Sequence, residues 1–401
     1  MNSFESCPAM ETAMLSQIDV FHDCFDQVED PRVPGRTTHP LNSILFLVVA
    51  ATIADADGPE EIECFGNERL DWLSRFADFP HGIPSHDTIG RVLSLIKPEQ
   101  FQQALLDWHT QLCQQYRDAE DKLDRDEEQS LPIHVAIDGK TARGSYTNAE
   151  KSNAIHFVSA WASKHGVTLG QTEVDSKTNE ITAIDELLDF IDVRGTIITL
   201  DAIGAQKSIA EKIHRNGGDY IFAIKDNHPK LANAIREYFE LVHEEGLKAN
   251  GVKSKKTVGK RSGRQEERFY AVCPIPPEMK AMTDLWAGAT SIGQAITQTE
   301  RNGECHVEVR YFLLSRPARV GEFAISVRSH WSVESMHWVL DVVFHDDASR
   351  IRTKNATANF TFIRRYVTTL LKQDTTKRSL KQKRKKAGWN TDFLEKLMFS
   401  A

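Results

Sequence analysis

Residues 196–226 read TIITLDAIGAQKSIAEKIHRNGGDYIFAIKD. A β-branched run (196–202), an amphipathic stretch (205–216) and a second apolar run (219–226) spell strand, helix, strand. That alternation belongs to a parallel sheet with helices on its faces. Upstream, IHVAID (133–138), IHFVSAWAS (155–163) and VTLGQTEVD (167–175) read as three consecutive strands with short connections, and ITAIDELLDFI (181–191) as a helix. Downstream, PKLANAIREYFELV (229–242) is again helical. The expected order over 131–244 is therefore βββαβαβα, an α/β fold with a mixed sheet.

Residues 245–318 break this alternation. Basic, glycine-containing loops flank the strand-like ERFYAVC, SIGQAITQTER and HVEVRYFLL, which predicts an inserted β-rich subdomain. Helix returns over 322–345 and 356–372, so 319–372 is expected to complete the core. Before the core, residues 1–116 read as a small all-helical domain. The apolar segment from 40 to 54 is one helix, Ser85 can cap SHDTIGRVLSLI, and Pro98 opens PEQFQQALLDWHTQLCQQY. Asp118 to Glu128 (DAEDKLDRDEE) holds seven acids and reads as part of a solvated linker over 117–130.

Composition bounds the function. The chain has 401 residues, 40% hydrophobic and 26% charged, which is ordinary for a globular protein and disfavours disorder. Its longest apolar run, Ile44 to Ala54, is too short to span a bilayer, and the N-terminus lacks the pattern of a signal peptide. Six scattered cysteines without a C-x-x-C pair suggest a reducing cytoplasm. The net charge is −8, yet Arg350 to Lys386 carries thirteen basic residues against one acid, so this stretch is +12 and the remainder −20. Lys248 to Arg264 adds seven basic residues and no acid. Such stripes are the footprint of phosphate contact, although a basic tail over 373–401 is equally readable as a solvated end. Lys381, Lys383, Arg384, Lys385 and Lys386 are its candidate DNA contacts.

Two carboxylates stand at strand ends, Asp138 after IHVAI and Asp201 after TIITL. Ligands of open α/β sheets gather there, and two negative charges facing one crevice favour a cation between them. Oxygen ligands suit Mg²⁺ or Mn²⁺. In SHWSVESMHWVLDVVFHDDASR, His330, Glu334, His337 and Asp341 are spaced four, three and four apart, hence on one helical face. One reading is that Glu334 completes a divalent-metal site with Asp138 and Asp201. Another is a zinc site of a hydrolase built on the His/Glu/His/Asp stripe. Arg143, five residues after Asp138, is a candidate phosphate contact.

In order along the chain, AIDGKTARGS, ITLDAIGAQKSIA, GGDYIFAIKDN and HWSVESMHWVLDVVFHDDASRIR resemble the signature blocks of bacterial insertion-sequence DDE transposases of the ISAs type, the group that includes the H-repeat-associated proteins. HPLNSILFLVVAATIADADGPEEIECFGNERLDWLSRF with HGIPSHDTIGRVLSLI resembles the helical region accompanying that catalytic domain, and KRSLKQKRKKAGWNTDFLEKLM resembles the family's ending. The resemblance implies an RNase H-like core in which Asp138, Asp201 and Glu334 hold two Mg²⁺ or Mn²⁺ ions for strand cleavage and strand transfer. It further implies double-stranded DNA as partner, a homodimer assembled on DNA, and a cytoplasmic, nucleoid-associated protein without membrane contact. Where the wider superfamily surrounds its glutamate with Tyr, Arg and Lys, this chain has Val327, His330 and Asp341, making His330 a candidate DNA contact. Ser262 stands where the family's insertion usually has His. A DNA-binding remnant that no longer cuts is the alternative within the same family.

Overall fold

The computed structural model describes residues 8–120, 132–142, 155–163, 166–174, 179–247, 251–261, 264–301, 304–349, 351 and 353–399. Arg143, Lys248, Ser262, Arg350 and Arg352 lie outside them. Six helices come first: α1 (Pro8–Phe25), α2 (Leu41–Ile53), α3 (Pro59–Glu68), α4 (Leu70–Leu73), α5 (His86–Leu95) and α6 (Pro98–Glu120). The expected stops and starts are visible. The Ser85 side chain accepts from Thr88 N–H at the start of α5, and Pro98 opens α6. Because α2 is apolar on every side, it is buried on every side.

The alternating part follows as β1 (Ile133–Ala142), β2 (Ile155–Ala162), β3 (Val167–Val174), α7 (Glu180–Phe190), β4 (Thr196–Leu200), α8 (Lys207–Arg215), β5 (Asp219–Ile224) and α9 (Pro229–Glu245). Then come β6 (Lys253–Arg261), β7 (Arg264–Pro274), α10 (Lys280–Thr283), β8 (Ser291–Arg301), β9 (Glu304–Leu314), α11 (Val320–Val343), α12 (Lys354–Gln373), α13 (Leu380–Trp389) and α14 (Thr391–Phe399). All nine described strands share one sheet in the order β3-β2-β1-β4-β5-β9-β8-β7-β6. β1, β4 and β5 are mutually parallel, and the remaining pairings are antiparallel.

Three features correct the expectations. Strand β1 does not close on Asp138: it continues along β2 to Ala142, while its ladder with β4 ends one residue earlier, at Ile137 opposite Leu200. Asp138 is thus interior toward β2 and terminal toward β4. The segment expected as an inserted β-rich subdomain holds β6 to β9 and continues the central sheet, because β9 pairs with β5 from Ile221–Leu314 to Ile224–Tyr311. The expected basic tail is folded. Ala387 of α13 and Phe393, Leu394, Leu397, Met398 and Phe399 of α14 belong to the same apolar cluster as Phe21, Phe46, Trp72 and Trp108. The helical region before residue 116 therefore shares its core with the end of the chain.

The two faces of the sheet are covered differently. Val135, Ile137, Ile198 and Phe222 face α7, α8 and α9. The opposite face lies under α11 and α12. Ser326 is within hydrogen-bond distance of His134 (Oγ to Nδ1, 3.0 Å), and Ser163 Oγ donates to the Ser329 carbonyl at 2.9 Å. At β8, Gly293 admits the Phe323 ring of α11, which a β-carbon there would meet at 2.6 Å. These contacts set the height of α11 over the ends of β1 and β4.

Candidate active site

Side chains alternate across a strand, so positions two apart share a face. Extending the ladders of β1 with β4 and of β4 with β5 by one residue puts Asp138 beside Asp201 and Asp201 beside Ala223, with Phe312 opposite Ala223. This row faces α11, whose Glu334 comes down onto it. Asp138, Asp201 and Glu334 line one cleft of about 220 Å³, together with Thr199, Lys225, Arg310, His330 and Trp331. The three acids are 63 and 133 positions apart in sequence, and the sheet order together with α11 gathers them.

Their surroundings are electrostatically unsettled. Burial raises the Asp138 carboxyl most. The Gly139 N–H pulls it back, Asp201, Glu180 and Glu334 push it further, and it ends at about 7. Burial also raises Glu334, with Arg310 opposing and Glu308 adding to the rise. Asp201 Oδ1 accepts from the N–H groups of Ile203 and Gly204, each at 3.1 Å, which fixes the carboxylate at the head of the turn after β4. Among the described residues no lysine or arginine forms an ion pair with any of the three acids.

The polar stripe on α11 divides among different partners. His330 Nδ1 is 3.0 Å from Thr199 Oγ1, and burial lowers the imidazole to about 4. His337 Nδ1 is 3.7 Å from Asp138 Oδ2, and burial, then Arg365 and Lys140, lower it to about 3. Both rings are neutral at pH 7, so His330 offers no cationic charge to a phosphate. Asp341 is taken by the buried Lys140, whose Nζ lies 2.5 Å from it and 3.6 Å from Asp347. Among the described residues no three His, Cys, Asp or Glu side chains stand close enough to enclose an ion as they are. Of the stripe, His330, His337 and Asp341 are thus engaged by Thr199, Asp138 and Lys140, which leaves Glu334. The Asp138, Asp201 and Glu334 carboxylates share a cleft, and none of them is ion-paired to a described lysine or arginine. Hard oxygen donors with excess negative charge fit Mg²⁺ or Mn²⁺ in kind.

The basic residues near the end of the chain separate in the same way. Lys383 and Arg384 are buried. Lys383 Nζ donates to the carbonyls of Leu371 and Asp374. Arg384 donates to the carbonyls of Thr52, Ala56 and Val343 and to Asp57. Both are withdrawn from DNA by their part in the core. Lys381 and Lys385 are exposed, and Lys386 Nζ lies 3.9 Å from the centre of the Phe393 ring. Thr199, Lys225 and Arg310 in the cleft, and Glu180 and Lys140 beside it, escaped the sequence reading. Lys225 was the most legible, since it follows a strand parallel to the one that Asp201 follows. Arg310 enters only through the pairing of β5 with β9.

A model described as "Transposase DDE domain" matches residues 129–370, and one described as "DDE_Tnp_1-associated" matches residues 22–109. The chain belongs to the DDE transposase family. Among its relatives, "H repeat-associated putative transposase YhhI" of Escherichia coli (strain K12) is 38% identical over 377 residues, covering 92% of this chain and 95% of the relative. "Putative transposase YncI" of Escherichia coli O157:H7 is 38% identical over 383 residues, covering 94% of each chain. A shorter relative, "H repeat-associated putative transposase YbfD" of Escherichia coli (strain K12), is 40% identical over 252 residues, covering 63% of this chain and 93% of its own.

Proposed function

We propose that this chain is a DNA transposase that cuts strands at the ends of an insertion sequence and joins them to a target. Asp138, Asp201 and Glu334 are its catalytic carboxylates, in a core of RNase H-like type. The observation that carries the reading is the meeting of these three acids, from β1, the turn after β4 and α11, in one cleft. The core assignment is supported by the strand order β3-β2-β1-β4-β5, antiparallel through the first three and parallel through the last three.

The three side chains would hold two Mg²⁺ or Mn²⁺ ions. Bound there, the ions supply charge stabilisation for the attacking and leaving oxygens of a phosphodiester. The chain itself contributes placement. The N–H groups of Ile203 and Gly204 orient Asp201. Burial and the neighbouring Asp201, Glu180 and Glu334 raise the Asp138 carboxyl, so a cation bound beside it would favour its ionised, ligating form. The Thr199–His330 contact keeps a neutral ring against the cleft wall. Exposed Lys381 and Lys385, with half-buried Lys386, are retained as phosphate contacts. Double-stranded DNA is the partner, a homodimer forms on it, and the site of action is the cytoplasm at the nucleoid. No described helix is long and apolar enough to cross a membrane.

The test is strand cleavage of a duplex carrying the DNA that flanks this gene, measured beside binding of the same duplex. Asp138→Asn, Asp201→Asn and Glu334→Gln should each abolish cleavage and leave binding largely intact, since affinity comes mainly from lysine and arginine meeting phosphates. Substantial residual cleavage by any one removes that residue from the site. Cleavage should require added Mg²⁺ or Mn²⁺. Tightly held zinc in the purified protein would favour the hydrolase reading, and binding without cutting by the unmodified protein would favour the remnant.

A further inference from the structure

The cleft has a second rung. Two positions beyond Ala223 and Phe312 on the same face stand Lys225 and Arg310. They are the next neighbours after the last pair of the β5–β9 ladder, Ile224 opposite Tyr311. Both line the cleft with the three acids. A two-residue step along a strand is about 6.6–6.8 Å, so the cationic rung runs beside the carboxylate row, one such step away. Ala223 and Phe312, which continue the carboxylate row across β5 and β9, carry no charge.

The two cations are differently prepared. Lys225 is exposed and makes no ion pair among the described residues. The Arg310 guanidinium lies 4.1 Å from the centre of the Trp331 ring, and its Nε and Nη2 are both 2.8 Å from Glu308 Oε1. Held over the indole on one face and by Glu308 along one edge, it is pre-oriented and keeps its Nη1 edge for another acceptor. Lys140, on the same face of β1, is already engaged by Asp341 and Asp347. That leaves Lys225 and Arg310 as the cations lining the cleft.

We propose that Lys225 and Arg310 form a phosphate-binding site that takes the phosphodiester next to the one being cut, and so set which bond reaches the carboxylates. The proposal rests on the transposase reading. Neither side chain changes covalently. Each donates hydrogen bonds to non-bridging oxygens and offsets the repulsion between the strand and the acidic row. The chemical class bound is the DNA backbone, without base recognition.

The experiment uses the full chain and a labelled duplex of the DNA flanking its gene, with binding measured over a range of salt concentrations. Lys225→Gln, Arg310→Gln, the double variant and the conservative Arg310→Lys are compared with Lys280→Gln, which removes an exposed lysine elsewhere. Each lost contact should weaken binding about tenfold, and the double variant should lower the salt slope by about 1.8. Arg310→Lys should recover most of its share, and Lys280→Gln should match the unmodified protein. The decisive readout replaces single phosphates by uncharged methylphosphonates. One replacement near the cut bond should weaken binding by the unmodified protein and make no further difference to the double variant. Equal sensitivity of both proteins to every replacement, or full affinity in the double variant, overturns the proposal while leaving the transposase reading in place. Failure of the unmodified protein to bind the duplex overturns both. Thermal midpoints identify a misfolded variant, and Lys225→Gln, at an exposed side chain, carries the test if Arg310→Gln is one.

Discussion

Replacing Arg384 by alanine separates a structural cation from a DNA contact. Its guanidinium is fully buried. It reaches the carbonyls of Thr52, Ala56 and Val343 at 3.1, 3.1 and 2.6 Å, lies 2.8 Å from Asp57 Oδ1 and 3.3 Å from Asp55 Oδ1, and stacks 4.1 Å from the Phe344 ring. Truncation strands three main-chain acceptors, each costing about 1–3 kcal/mol if dry. Water entering the vacated space lowers the sum. Breaking a buried, hydrogen-bonded ion pair costs about 3–5 kcal/mol, and Asp57 and Asp55 keep some solvent contact. The expected loss is therefore about 4 kcal/mol, near the middle of that range. It is read as a fall in the urea midpoint followed by tryptophan fluorescence. Lys385→Ala, one residue on and exposed, should stay within about 0.5 kcal/mol of the unmodified protein. An Arg384→Ala protein with an unchanged midpoint and weakened DNA binding would refute the argument and return Arg384 to the phosphate contacts.

Other outcomes follow from the same geometry. Asp374 is raised by burial, but hydrogen bonds from Thr376, Lys396 and Lys383 overcome that and bring it to about 2. Because its folded value is depressed, its contribution is present above about pH 4 and lost as pH falls towards 2. Asp374→Asn should flatten the stability–pH curve in that window, as measured by denaturant midpoints. Lys140→Met removes the buried cation that Asp341 and Asp347, each about one-third exposed, share. It should cost about 1–3 kcal/mol, with partial recovery in the double variant Lys140→Met with Asp341→Leu. Gly293→Ala drives a β-carbon to 2.6 Å from the Phe323 ring and should lower the thermal midpoint, a change checked by calorimetry. Neutralising Lys381, Lys385 and Lys386 together should lower the salt slope of DNA binding by up to about 2.7 without changing sequence preference, as read by gel shift.

The alternating part of the chain was legible because its signals are local. Period-two runs, β-branched residues and the Asp201 turn each announce themselves within a few positions, and the four, three, four spacing on α11 placed Glu334 on a polar face. Pairing was not legible. Whether β9 lies against β5 depends on residues some ninety positions apart, so an extension of the sheet and a separate subdomain look alike in the one-dimensional pattern. Lys383 and Arg384 were hidden differently. In a run such as KQKRKK every residue has the composition of a solvated face, and only partners near residues 52–57 and 371–374 reveal which two point inward. A helical period inside the run, with Leu380, Lys383, Arg384 and Ala387 on one side, is consistent with that burial.

The shared helical core has a consequence for how the protein is made. The Phe76 ring, near the start of the chain, packs against that of Phe399, with centroids 5.4 Å apart, and Trp72 Nε1 donates to Glu395 at 2.7 Å. The first helices to leave the ribosome therefore wait, with apolar faces uncovered, until the last ones emerge. Such a wait exposes a nascent chain to aggregation. Copies of the gene interrupted before α13 would yield not a shorter working protein but one with its earliest core left open, a target for proteases.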